Sequence, residues 1–396
     1  MRVLHVVKTS DGARWAALQA GVLTRAGIDV HVVVPSAKGD AIPLWEQAGA
    51  VIHVLDCSLP IQAPLLFSDR ARKARSLIAR VQPDIIHNHF VTTTMFLRLA
   101  LGRNHPVPRL FQVPGPLHLE HALYRRAETA TAGGSDYWIA SSRYTRNLYL
   151  ANHVPADRVF LSYYGFRVDS ENSSHDGIRA RLKLDGRIVG NINYMYPPKY
   201  YLGQTRGLKR HEDVIEALGI VCRRREDVAG VFVGGQWGVD RRYEERLRRQ
   251  AARAAGTRIV FAGKVPHENA ADLWHGFDLA VHTPVSENCG GVAEPLLAGV
   301  PTIASSVGGL PEVVLHGVTG WLVPPSSPTK LSNAILYALD NEDEARRMAL
   351  RGQELVRHMF DVDRTGAEIA DIYEAVTKGS PAGPAMFDPE SFVANL

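Results

Sequence analysis

The chain has 396 residues, 45% of them hydrophobic and 22% charged, a balance that excludes an extended disordered chain and suggests two globular domains. Its formal net charge is +4, mildly basic, which suits an anionic small ligand at least as well as nucleic acid. Cys57, Cys222 and Cys289 stand far apart with no CxxC spacing, which argues against a disulfide framework or a zinc site and for a reducing compartment. The opening MRVLHVVKTSDGARW has too short an apolar core for a signal peptide. No run of about 18 apolar residues suggests a membrane span. The expectation is a soluble, cytoplasmic protein.

In chain order, short β-branched runs alternate with helix-period segments. RVLHVV (2–7) reads as a strand, 13–27 as a helix closing on Gly27, and VHVVVP (30–35) as the next strand. Strands follow at 51–55, 83–89, 109–114, 136–141 and 158–165, with a basic helix over 69–81. Continuous β-branched runs mark strands buried on both faces, and strand–helix alternation marks βαβ units. The polar VDSENSSHDG (168–177) then reads as a linker. Alternation restarts with strands at 187–192, 229–235, 258–263, 277–283, 300–305 and 319–325, and helices at 209–224, 239–255, 328–339, 342–358 and 363–376. The expected organisation is a first domain over 1–170, a linker over 171–186, a second domain over 187–362, a helix over 363–378 returning to the first domain, and a loose Pro/Gly-rich tail over 379–396. Both domains read as α/β, doubly wound and parallel, facing a central cleft. Open parallel sheets bind ligands at the carboxyl ends of their strands.

SENCGGVAEPLLAG (286–299) carries the densest chemistry. A strand ends before it, and it continues as a helix whose amino end offers unpaired amides to a phosphate. Gly290 and Gly291 allow a ligand close to the main chain. Glu287 and Glu294 can each accept from two vicinal hydroxyls of a sugar or ribose, with Glu294 expected deeper than Glu287.

This stretch resembles the signature of the retaining glycosyltransferases of family 4, with the GT-B fold. The likeness is carried by Glu287-Asn288-Cys289-Gly290, Glu294, Gly299-Val300-Pro301, Val307 to Glu312, and His316 to Gly320. VLTRAGIDVHVV, PDIIHNH and LKRHEDVIEAL have counterparts as well. The resemblance implies a UDP- or GDP-hexose or N-acetylhexosamine donor, UDP ahead of GDP, front-side transfer to an acceptor hydroxyl, and no metal or other cofactor. It places Glu287 on the donor sugar, although the acids stand one residue closer than in the family, so Ser286 remains an alternative. It places Glu294 on the ribose, and Asn288, Cys289, Gly290 and Gly291 along the donor. Lys209 matches the lysine that contacts the phosphates. The family's arginine is missing, since Asn191 follows Gly190, and Lys199 or Arg206 can stand in. Gly12 matches a glycine of the first loop, the main chain at Lys264 and Val265 the base-binding edge, and His118 the histidine that touches the donor hexose.

Other features are read from the residues alone. His87 and His89 end a strand and are expected to face the cleft. The tyrosines of YMYPPKYYLGQTR (194–206) and Trp237 suit either a sugar ring or an ordered cap. The basic helix 69–81 suits a solvated face or anionic lipid, so peripheral contact with the inner face of a membrane is one expectation, and the acceptor is a small molecule, a glycan or lipid-linked. A nucleotide-sugar 2-epimerase and a non-catalytic sugar- or nucleic-acid-binding module compete with the transferase. No nucleic-acid partner is expected, because no recognised binding signature is present. An oxidoreductase is disfavoured, because no GxGxxG follows the first strand.

Overall fold

A computed structural model describes residues 1–167, 177–238, 240–265, 270–379 and 383–396. The chain divides into two units, Met1–Val168 with His358–Phe387, and Asp169–Arg357 with Asp388–Leu396.

The first unit holds seven strands: β1 (Arg2–Val6), β2 (Asp29–Val34), β3 (Val51–Val54), β4 (Ile85–Asn88), β5 (Arg109–Val113), β6 (Asp136–Ala140) and β7 (Val159–Leu161). They pair in parallel in the order β3-β2-β1-β4-β5-β6-β7. Except in the edge strand β3, whose Val51 and Val54 are exposed, their β-branched runs are buried because helices cover the sheet. The helix Arg14–Arg25 lies against the late helix Val362–Lys378. Ile369, Ile372, Tyr373 and Val376 of the latter join Val3, Ala16, Ala20 and Leu23 in one core. Helices over Val91–Leu101, Ala122–Thr131 and Arg143–Ala151 were not separately read from the sequence.

His87 and His89 do not face open space. Both are fully buried, a correction to the sequence reading. The reason is long-range. His87 Nδ1 and the Tyr373 hydroxyl share a 2.6 Å hydrogen bond, and His89 Nε2 and His5 Nδ1 share one of 2.8 Å. Burial lowers the pKa of His5 to about 3 and holds His87 and His89 well below the usual histidine range. The unfolded chain binds protons at these rings below about pH 6.5, whereas the folded one does not. Their stabilisation is therefore complete above pH 6.5 and is lost as pH falls toward 3. From His5 alone the loss at pH 5 is about 2 kcal/mol. Thermal melting at pH 7.5 and pH 5.0 should show a drop of several degrees; equal melting points would contradict it.

The second unit holds β8 (Arg187–Ile192), β9 (Val228–Val233), β10 (Ile259–Gly263), β11 (Leu279–His282), β12 (Thr302–Ser305) and β13 (Trp321–Val323). All pair in parallel in the order β10-β9-β8-β11-β12-β13. The helix His211–Arg224 has Glu212 and Asp213 in its first turn and Arg223 and Arg224 in its last, as the helix dipole favours. Its Val214, Ile215, Leu218 and Val221 pack with Leu331 and Ile335.

Two boundaries differ from expectation. Residues 168–176 of the anticipated linker lie outside the described residues. From Gly177 to Leu182 the chain is helical, because Ile178 is buried with Trp274 and Phe277 and Arg179 pairs with Asp278. In the tail, Pro389–Ala394 is helical with Val393 buried, rather than loose.

Candidate functional site

In the second sheet the strand order reverses between β8 and β11. The crevice outside the carboxyl ends of strands at such a point is where open α/β sheets take ligands. The described side chains at that place form a connected set. Lys209, just before the helix His211–Arg224, forms an ion pair with Glu287, both largely buried. His282, the last residue of β11, lies with Nε2 3.1 Å from Glu287 Oε2. Its Nδ1 is 3.2 Å from Asn193 Nδ2, just beyond β8. An amide nitrogen donates, so Nδ1 accepts and Nε2–H points at the carboxylate.

Burial works to raise the Glu287 pKa, but the Lys209 charge and the His282 hydrogen bond prevail and hold it at about 2. Burial lowers the pKa of His282, so that ring is neutral at neutral pH. The site is thus a fixed anion gripped by one cation and one neutral imidazole. Lys209 carries three donors and can hold Glu287 and a further anion together.

The glycines divide the labour differently than expected. A Cβ on Gly291 would come 2.2 Å from His282 Nε2, so that glycine makes room for the imidazole. A Cβ on Gly290 would meet nothing within 4 Å, so only this glycine borders open space. Gly308, at φ +56°, passes so close that a Cβ would lie 1.8 Å from the Glu287 carbonyl oxygen, which accepts from the Gly309 amide at 3.3 Å. The loop after β12 therefore braces the acid loop.

Other predicted residues fall around this set. Asn288 N donates to Glu287 Oε1 at 3.2 Å. Cys289 is buried, its Sγ 3.4 Å from Gly309 O, with burial raising its pKa well above the usual thiol range. Its side chain is therefore packing, and only its main chain is available to a ligand. The helix expected over 292–299 is shorter. Gly290–Val292 is a 3-10 turn and Ala293–Leu297 the only α-helical part.

Glu294 is exposed, whereas Glu287 is largely buried, which reverses the expected depths. The cause is Lys209 and His282, which offset the burial of Glu287, while Glu294 has Trp274 Nε1 at 3.5 Å. Arg206 pairs with Asp213 and Glu216 along the helix His211–Arg224. Lys264 is exposed and Val265 half-buried at the end of β10, and the Lys264 side chain lies over Gly235.

Tyr194, Tyr196 and Trp237 form an aromatic group at the ends of β8 and β9, with centroids 5.1 to 6.4 Å apart. Trp237 is 58% exposed. The Glu287 charge, after burial, adds to the raised pKa of Tyr196, which puts this group beside the acid.

Gly12 and His118 belong to the first unit, Gly12 in the loop after β1 and His118 in the short helix Leu117–Glu120 after β5. Thr9 Oγ1 accepts from the amides of Asp11 at 3.1 Å and Gly12 at 3.4 Å. The positive φ of that turn falls on Ala13, at 61°, not on Gly12. His118 Nε2 is 3.2 Å from the Tyr149 hydroxyl, and burial lowers its pKa. A cavity of about 660 Å³ lined by Arg103, Trp138, His153 and Arg158 holds none of the predicted residues.

His282 and Asn193 were missed in the sequence. The available signal was a histidine ending a strand that feeds the acid loop.

Comparison with known proteins fits this geometry. The profile of the glycosyl transferases group 1 matches residues 191–355, and that of glycosyltransferase family 4 residues 12–170. The D-inositol 3-phosphate glycosyltransferase of Streptomyces scabiei is 31% identical over 316 residues, 74% of this chain and 68% of that one. The chain belongs to the family 4, group 1 glycosyltransferases.

The chain spans 58% or less of the length of other relatives it matches. The D-inositol 3-phosphate glycosyltransferase of Streptomyces coelicolor is 32% identical over 183 residues, 44% of this chain and 39% of that one. An uncharacterised glycosyltransferase of Methanocaldococcus jannaschii is 24% identical over 245 residues, 61% and 58% of the two chains. Among solved structures, HepE of Anabaena in complex with UDP and glucose matches with TM-score 0.77 over 95% of this chain and 100% of that one, at 20% identity. Sucrose-phosphate synthase of Thermosynechococcus elongatus matches with TM-score 0.75 over 96% and 100%, at 20% identity. These likenesses establish the fold of this chain as GT-B, two parallel sheets flanked by helices.

Proposed function

We propose that the chain moves a hexose or N-acetylhexosamine from a UDP-sugar to an acceptor hydroxyl, with retention at the anomeric carbon. The observation that carries this is the Glu287 carboxylate held ionised by Lys209 and His282 at the reversal of a parallel sheet. Glu287 accepts from hydroxyls of the donor sugar. Lys209 and the amides from Cys289 to Gly291 face the diphosphate, and each well-placed donor there is worth about 3 kcal/mol as charge develops. Glu294, being exposed, takes the ribose hydroxyls, and the main chain at Lys264 and Val265 takes the base. Binding of UDP and of UDP-glucose by HepE supports UDP ahead of GDP.

In the transfer the bond from C1 to the diphosphate oxygen breaks and the acceptor oxygen bonds C1 on the same face. The acceptor proton passes to the leaving diphosphate. Lys209 supplies the counter-charge, and this reading assigns no metal ion or other cofactor. The acceptor is a small molecule, a glycan or a lipid-linked hydroxyl.

Glu294→Ala tests the ribose contact. Calorimetric titration with UDP should show at least about tenfold weaker binding, the effect of leaving two hydroxyls unpaired. Unchanged affinity would remove Glu294 from the site. Incubation of the chain with a UDP-sugar and no acceptor reports an epimerase by the appearance of an isomerised sugar nucleotide.

A further inference from the structure

The basic helix Phe67–Val81 by itself reads as a solvated face. What precedes it changes that. Residues 59–67, LPIQAPLLF, contain one polar side chain, Gln62, and no charge. Leu65 is 96% exposed, Ile61 70% and Leu66 46%. The segment is ordered. Leu59 N donates to Thr92 O at 3.2 Å, Ala63 N to Pro60 O at 3.1 Å and Leu66 N to Ala63 O at 3.0 Å. A 3-10 turn, Pro64–Leu66, then leads into the helix. Such a held, contiguous apolar surface is uncommon on a chain that meets only water.

The helix that follows buries Ala71, Ala74, Leu77, Ile78 and Val81. Its charges therefore point outward. Arg72, Lys73, Arg75 and Arg80 are exposed. Asp69 is the one acid of the helix and pairs with Arg72 and Lys73. Arg70 turns aside to Asp56. A fixed apolar tip beside a surplus of cations matches one occupant by charge: the anionic headgroup layer of a bilayer, with acyl chains beneath it.

We propose that Ile61, Leu65 and Leu66, with the exposed cations of the helix Phe67–Val81, form a docking surface for an anionic membrane. The contact is peripheral, since no helix among the described residues is long and apolar enough to cross a membrane. The segment follows the carboxyl end of β3, and Leu55 N is bonded to Val34 O at the end of β2. It therefore lies at the same end of the sheet as the loop with Gly12 and the short helix with His118. Docking brings that end to the headgroup layer, where a lipid-linked acceptor presents its hydroxyl.

The test is co-sedimentation of the full chain with vesicles of phosphatidylcholine, alone or with about one-third phosphatidylglycerol. The chain should pellet with the mixed vesicles, and less at high salt. Ile61→Gln with Leu65→Gln should lower partitioning at least about tenfold. Arg72→Glu with Lys73→Glu should do the same and flatten the salt dependence. Melting points should stay as in the parent, because these side chains face solvent. No pelleting at low salt would overturn the proposal, and so would equal pelleting by the glutamine variant. A dimer in sedimentation velocity that the glutamine variant abolishes would also overturn it, in favour of a second copy covering the patch. UDP release from a UDP-sugar without vesicles is read in parallel. Its absence with docking intact would reject the transferase reading alone.

Discussion

Glu287→Gln should lower the turnover of a UDP-sugar at least about 100-fold, the cost of losing a well-placed charged partner in a preorganised site. The amide keeps the shape of the side chain but removes its charge. Lys209 loses its counter-ion, and His282 Nε2–H meets a weaker acceptor. Above about pH 4 the wild-type carboxylate is fully ionised, since its pKa lies at about 2, so the comparison holds across the whole neutral range. Because UDP lacks the hexose, its affinity should change much less than turnover. A kcat loss with UDP binding retained is therefore the expected signature. Turnover within about threefold of the parent would place the reacting sugar elsewhere.

Asp136→Ala should destabilise the first unit by about 3–5 kcal/mol, the usual cost of removing one partner from a buried ion pair. Arg98 and Arg109 both donate to this carboxylate, at 3.0 and 2.8 Å. Arg98 also donates to Glu128 Oε1 at 2.6 Å, where Trp138 Nε1 donates at 3.0 Å. The four charged side chains are at most 1% exposed. Two cations and two anions balance. Without Asp136, two guanidinium groups would share one carboxylate away from water, and burial already lowers the pKa of Arg109. Denaturant unfolding should show the loss as a lower midpoint, and a change under about 1 kcal/mol would mean that water reaches the cluster.

The strands and the main helices were legible because they depend on local pattern. The apolar run read as a strand at 229–235 is the strand Val228–Val233, buried on both faces. The acid loop was legible for the same reason, as a Gly-Gly turn between an apolar strand and a short helix. Depth was not legible. Glu287 is buried because Lys209, 78 residues earlier, offsets its charge. His87 is buried because Tyr373, 286 residues later, meets its ring. Arg98 is buried because Glu128 and Asp136, 30 and 38 residues later, close on it. Burial of a polar group depends on partners far away in the sequence, and one sequence names the group without naming the partner. The exposed tip at Leu65 is the opposite case. Its composition is apolar, and no partner covers it among the described residues.

The most direct check is UDP release from UDP-glucose and a small panel of other UDP- and GDP-sugars, by the unmodified chain beside Glu287→Gln at matched folding. Slow release from at least one UDP-sugar by the parent, nearly abolished in the variant, is the predicted result. Release that is equal in the two proteins, or none from any donor, would contradict a donor site built on Glu287, Lys209 and His282.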